Sequence, residues 1–92
     1  MFTVIAFDIV DDRTRYRVVR VLRRYAVRVQ KSVFEAPDLA PNHFQRLRER
    51  LERLIDMEVD KVRYYFLCGT CRGRIELSGR GAVTPAEEYR VL

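Results

Sequence analysis

The stretch Thr3-Val4-Ile5-Ala6-Phe7-Asp8-Ile9-Val10 is almost continuously apolar and rich in strand-forming residues, with Asp8 its only charge. Side chains of an extended chain alternate between two faces, so a run that is apolar at odd and even positions alike calls for cover on both. No other feature constrains the fold as strongly. The segment reads as a central strand, with the rest of the chain arranged around it.

Asp11 and Asp12 follow as an N-cap and a first-turn carboxylate, and a helical pattern begins. Val18, Val19, Leu22 and Ala26 form its apolar face, while Arg13, Arg17, Arg20 and Arg24 lie along another. Residues 27–35 then alternate, with Val27, Val29 and Val33 on one side and Arg28, Gln30, Ser32 and Phe34 on the other, which predicts a second strand. A turn-rich connection over 36–41 ends at Pro41, well placed to open a second helix with the buried stripe Phe44, Leu47, Leu51, Leu54 and Ile55. Residues 61–67 predict a third strand, 74–78 a short fourth, Gly79-Arg80-Gly81 a turn and 88–92 a terminal β-like piece. The order favours a ferredoxin-like α+β domain, βαββαβ, with both helices on one face of the sheet. That pattern needs two strands between the helices, so 27–35 must extend or bend to serve as both.

At 92 residues the chain has room for one domain, residues 1–92, and none for a separate cofactor-binding domain. An apolar share of 48% supports a single modest core. No apolar run nears the ~18 residues that span a bilayer. The first apolar stretch has no basic leader and no small-residue cleavage site, and two cysteines are too few to staple a secreted fold. The expectation is a cytoplasmic protein without a membrane partner.

The net charge of +5 comes from sixteen Arg and only two Lys, set against thirteen acids. The planar Arg fork fits phosphate oxygens, which suits a nucleic-acid partner, although a coding sequence rich in G and C gives the same bias. Position favours the partner: residues 11–30 hold seven Arg and two acids, too many to be satisfied by internal ion pairs. Arg15 and Arg17 lie nearest the helix start and hence nearest Asp8, as phosphate clamps for chemistry there. A carboxylate inside an apolar strand is costly unless it is paired, protonated or bound to a metal, so Asp8 is the candidate catalytic group. The alternative is that it caps a turn or pairs with an Arg. One carboxylate is a thin Mg²⁺ site, and a homodimer with its two-fold axis near Asp8 would supply a second. Cys68-Gly69-Thr70-Cys71 is half a zinc site and leads into an expected strand rather than a helix, which suggests a turn with two free thiols. No Ser–His–Asp set or phosphate-binding Gly-rich loop is present.

Taken in order, Phe7-Asp8-Ile9, Asp11-Asp12, Arg15-x-Arg17, Arg28-Val29-Gln30-Lys31-Ser32-Val33-Phe34-Glu35 and Asp60-Lys61-Val62-Arg63-Tyr64-Tyr65-Phe66-Leu67 resemble the CRISPR-associated Cas-two family. The likeness runs over residues 2–78. It implies a ferredoxin-like homodimer in which residues 81–92 lie at the interface and the short last strand packs on the partner. It also implies a metal-dependent endonuclease acting on RNA or DNA, with Asp8 as the catalytic residue that holds Mg²⁺ or Mn²⁺. The family's nucleic-acid-binding positions fall on Arg15, Arg17, Arg28 and Phe34. The expected task is to scaffold spacer integration beside a Cas-one integrase, with double-stranded DNA or single-stranded RNA as partner. Phe7 stands where many relatives carry Tyr, which removes a hydroxyl and keeps the ring. Two other readings stay open: a stand-alone toxin-type metal-dependent ribonuclease, and a non-enzymatic dimeric nucleic-acid-binding module.

Overall fold

A computed structural model describes residues 1–85. The elements are β1 (Phe2–Asp8), α1 (Asp12–Leu22), β2 (Val27–Gln30), β3 (Val33–Ala36), α2 (Pro41–Leu54), β4 (Lys61–Leu67) and the one-turn helix α3 (Gly69–Arg72). The strands form one sheet in the order β2-β3-β1-β4, with every neighbouring pair antiparallel. This is the ferredoxin-like arrangement, and β1 lies inside the sheet as its sequence requires.

Local rules account for the helix starts. Asp11 caps α1 by accepting from the Thr14 amide at 2.8 Å and the Thr14 hydroxyl at 3.0 Å. Pro41 occupies the first turn of α2, where its missing N–H costs nothing. Register sets Ile5 of β1 beside Phe34 of β3 and Tyr64 of β4, so these three share one face of the sheet. Val18 and Leu22 of α1 and Leu47 and Leu51 of α2 pack onto that face and are fully buried. Each contributes roughly 1.5–3 kcal/mol by leaving water, which is why both helices settle on the same side. Phe44 seals the β4 end, edge-on to Tyr64 and Phe66 at about 5 Å.

The other face of β1 is covered unevenly. Phe2 is buried beneath the Arg72 guanidinium, 4.9 Å from its ring, while Val4 and Ala6 are half-buried and Asp8 is exposed. Residues 75–85 run over β2 and β3 on this side, enclosing a cleft with Val27, Val29, Val33 and Glu35. The half of the face along β1 and β4 stays open among the described residues.

Two expectations need correction, and a third is sharpened. Residues 27–35 are not one strand but a hairpin, bent at Lys31 and Ser32. Two-residue hairpin loops usually rely on positive φ, yet no non-glycine residue here has it. Instead, Arg28 donates from Nε and Nη2 to the Lys31 carbonyl at 3.1 and 2.7 Å, and a register shift between Arg28 and Gln30 absorbs the mismatch. The expected strand at 74–78 is absent: the chain makes the α3 turn and then runs irregularly, with Gly79 and Gly81 at φ +97° and +109°. It follows that the Cys68–Cys71 motif opens a helical turn and does not lead into a strand. The terminal piece expected at 88–92, and most of the 81–92 segment assigned to a dimer interface, lie outside the described residues.

Candidate functional site

Asp8 is the last residue of β1, directly opposite Lys61 in the β1–β4 register. It belongs with Val4 and Ala6 to the open face, on the side away from the helices. Arg63, opposite Ala6, and Tyr65, opposite Val4, continue that face on β4, and the Arg63 Nη1 donates to the Tyr65 hydroxyl at 3.3 Å. Asp8 therefore does not carry the burial cost that its apolar neighbours suggest. Its carboxylate has no hydrogen bond or ion pair among the described residues. The result is an exposed anion at the end of a strand with two cations, Lys61 and Arg63, on the same face.

The neighbouring carboxylates are committed to the loop. Asp11 caps α1, and those bonds from Thr14 hold its carboxyl below the usual range. Asp12 pairs with Arg15. Arg15 also donates from Nη2 to the carbonyls of Ile9 at 2.9 Å and Val10 at 3.4 Å, so its guanidinium braces the β1–α1 connection. Asp60 closes the same region from the far side, accepting from the Val10 amide at 3.0 Å and the Asp56 amide at 2.9 Å. Its burial and its two backbone donors mark it as a structural carboxylate.

The expected nucleic-acid residues are not brought together. Arg15 and Arg17, two apart on a helix, point to different sides. Arg17 is exposed and lines a groove between α1 and α2. Arg28 lies at the sheet edge, tied to the hairpin turn and 5.9 Å above the Phe34 ring. Phe34 is 0% exposed and sits in the core, 6.2 Å from Phe7, so its ring is not offered to a base and that expectation is withdrawn. Sequence reading missed Glu35, Arg72 and Thr84, which are joined only by the path of residues 73–84. Arg50 reads in the sequence only as part of the Arg-rich solvent face of the second helix, because its partners in the groove lie on another helix.

Cys68 and Cys71 are both free and exposed. Hydrogen bonds from the Cys71 backbone and thiol and from the Thr70 amide lower the Cys68 thiol below its ordinary value. The same thiol contact raises Cys71. Among the described residues no three His, Cys, Asp or Glu side chains gather in a metal-holding group, and no helix is long and apolar enough to cross a membrane.

Comparison with known proteins decides the family. The description of CRISPR-associated protein Cas2 matches residues 1–75. The chain belongs to the Cas2 family. It is 44% identical over 82 residues to the CRISPR-associated endoribonuclease Cas2 1 of Chloroflexus aurantiacus, a match covering 88% of this chain and 87% of that protein. The crystal structure of Streptococcus pyogenes Cas2 at pH 6.5 aligns with a TM-score of 0.76 at 28% identity, covering 86% of this chain and 100% of that one. A chain of a partial Cas6-RT-Cas1–Cas2 complex aligns with a TM-score of 0.71 at 28% identity, covering 82% and 87%. The Cas2 match spans every element from β1 to α3 and stops at Ile75, just as the irregular segment begins.

Proposed function

We propose that this chain is a homodimeric subunit of a spacer-acquisition complex, working beside a Cas1-type integrase, and that it hydrolyses phosphodiester bonds at Asp8 with Mg²⁺ or Mn²⁺. The observation that carries this reading is the exposed Asp8 carboxylate, without a partner among the described residues, at the end of an apolar strand whose second face those residues leave open. Val4, Ala6 and the 46%-exposed Tyr65 make that face a surface a second copy would cover. A relative named as an endoribonuclease and a similar chain within a Cas1–Cas2 complex lend support.

The donor chemistry fits the metal. Mg²⁺ is commonly held by one or two carboxylates, with waters and phosphate oxygens completing its shell, so Asp8 from each of two copies suffices. A bound ion would polarise a phosphoryl oxygen and make its water more acidic. The chain's own part is to hold that ion with Asp8 and to set positive charge nearby. Lys61 and Arg63 share the face of Asp8 and are placed to offset charge building on the phosphate. Arg15 shapes the adjoining loop rather than reaching for substrate.

The assembly is tested by sedimentation and by mixing the protein with a Cas1-type integrase and a short duplex. The reading expects a particle of about twice the 11.0 kDa chain mass at micromolar concentration, and one co-migrating species with integrase and DNA. A monomer, or an integrase that elutes apart from it, contradicts the proposal.

A further inference from the structure

Four arginines that the Asp8 chemistry leaves unused line one groove. Arg17, Arg20 and Arg24 come from α1 and the connection after it, Arg50 faces them from α2, and Val21 and Leu54 complete a lining around about 350 Å³. Arg17, Arg20 and Arg24 are exposed and Arg50 is half-buried. No carboxylate among the described residues lines the groove, and none of the four guanidiniums has an ion pair or side-chain hydrogen bond there. By contrast Arg48, also on α2, is paired with Glu52 at 3.3 Å. The helices pack through Val18, Leu22, Leu47 and Leu51, with Val21 and Leu54 against that core, and this packing does not call for the guanidinium groups to gather. Neighbours on a helix face stand ~5–6 Å apart, and like charges at that distance repel.

A single small anion does not answer the arrangement. From Arg17 to Arg24 the chain advances by roughly 10 Å of helix, a span that calls for a ligand with several charges in a row. A second feature adjoins it: Tyr16 is 65% exposed, and its ring lies 6.0 Å from the Arg20 guanidinium on the rim of the groove. A basic groove beside an exposed aromatic ring is the combination that holds unpaired nucleotides, phosphates on the cations and a base on the ring. Bases in a duplex keep their faces stacked and out of reach.

We propose that the α1–α2 groove binds a single-stranded nucleic acid, with Arg17, Arg20, Arg24 and Arg50 on its phosphates and Tyr16 under one base. This rests on the nucleic-acid reading above but names a separate site, because the groove belongs to the helix layer and Asp8 to the opposite sheet face. A strand held there is carried by the subunit without being presented to its own carboxylate.

The test is fluorescence anisotropy of the full chain with a labelled RNA or DNA strand of about 12 nucleotides, within the ~4–16 that such grooves cover, and with the matching duplex. Replacing Arg20, Arg24 and Arg50 together by Ala should lower the log–log salt slope for the single strand by about 2, at about 0.7 per phosphate. Tyr16→Ala should weaken single-strand binding at least about fivefold without changing that slope, with Tyr16→Phe near wild type. All these side chains are at the surface, and unchanged melting curves confirm that the fold is kept. An arginine variant with wild-type affinity and slope overturns the site. A Tyr16→Ala variant that binds normally, or that loses the duplex equally, overturns the single-strand assignment. Neither result touches cleavage at Asp8, so the two readings fail separately.

Discussion

Glu35 accepts hydrogen bonds from both the hydroxyl and the amide of Thr84, 49 residues further along the chain, at 2.7 and 3.2 Å. Arg72 completes the latch by donating to the Thr84 carbonyl at 2.9 Å while its guanidinium covers Phe2. These bonds fold the irregular segment after α3 back over β2 and β3, and among the described residues the β1–β4 half of the face stays open. Glu35→Ala should therefore cost about 1–3 kcal/mol in chemical denaturation, since it strands two donors on a buried threonine. Limited proteolysis should cut first within residues 74–85. Wild-type stability together with wild-type protection would mean that the latch does not hold the segment.

Phe34 and Arg28 separate packing from recognition. Phe34→Ala should cost about 3–5 kcal/mol, a large part of the ~5–15 kcal/mol that holds a domain of this kind. Phe34→Leu should keep the fold and bind nucleic acid as the wild type does. Arg28→Ala removes the bracket on the Lys31 carbonyl and should lower stability by about 1–2 kcal/mol. Its salt slope on duplex DNA should stay at the wild-type value. A fall of about 0.9 would instead count one lost phosphate contact and return Arg28 to the binding surface.

These residues also show how far the sequence could be read. The central strand, the Asp11 cap and the Pro41 start were legible because each follows from spacing over a few neighbouring residues. The hairpin was not. Lys31 and Ser32 carry no turn signal, and the bend is fixed by the Arg28 side chain and by the Phe7 amide donating to the Ser32 carbonyl at 3.0 Å. A short strand is expected over 74–78, yet a strand needs an edge to pair with, and the chain after α3 is held by Glu35 instead. Asp8 stands out in the sequence as the one charge in an apolar strand, but whether it is buried or exposed depends on how many layers cover β1. Arg15 looked like a clamp because the loop carbonyls it satisfies have no signature in sequence.

The thiols should differ in reactivity. Hydrogen bonding keeps the Cys68 thiol below its ordinary value and Cys71 above it, so at any pH below that value Cys68 holds the larger thiolate fraction. Alkylation followed by peptide mass spectrometry should label Cys68 first. Its rate should level off at a lower pH than that of Cys71 in the same chain. Equal rates across the range would show that the hydrogen bonds in the α3 turn do not persist in solution.

The most direct measurement of the central claim compares Asp8→Asn with the wild type in cleavage of single-stranded RNA and duplex DNA, with Mg²⁺, with Mn²⁺ and with excess chelator. Asn keeps the shape of the side chain and removes its charge. The account predicts cleavage by the wild type only when metal is present, none by Asp8→Asn, and the same sedimenting mass for both. Cleavage that survives the substitution, or persists in chelator, would contradict the assignment of Asp8 as the metal-holding catalytic group.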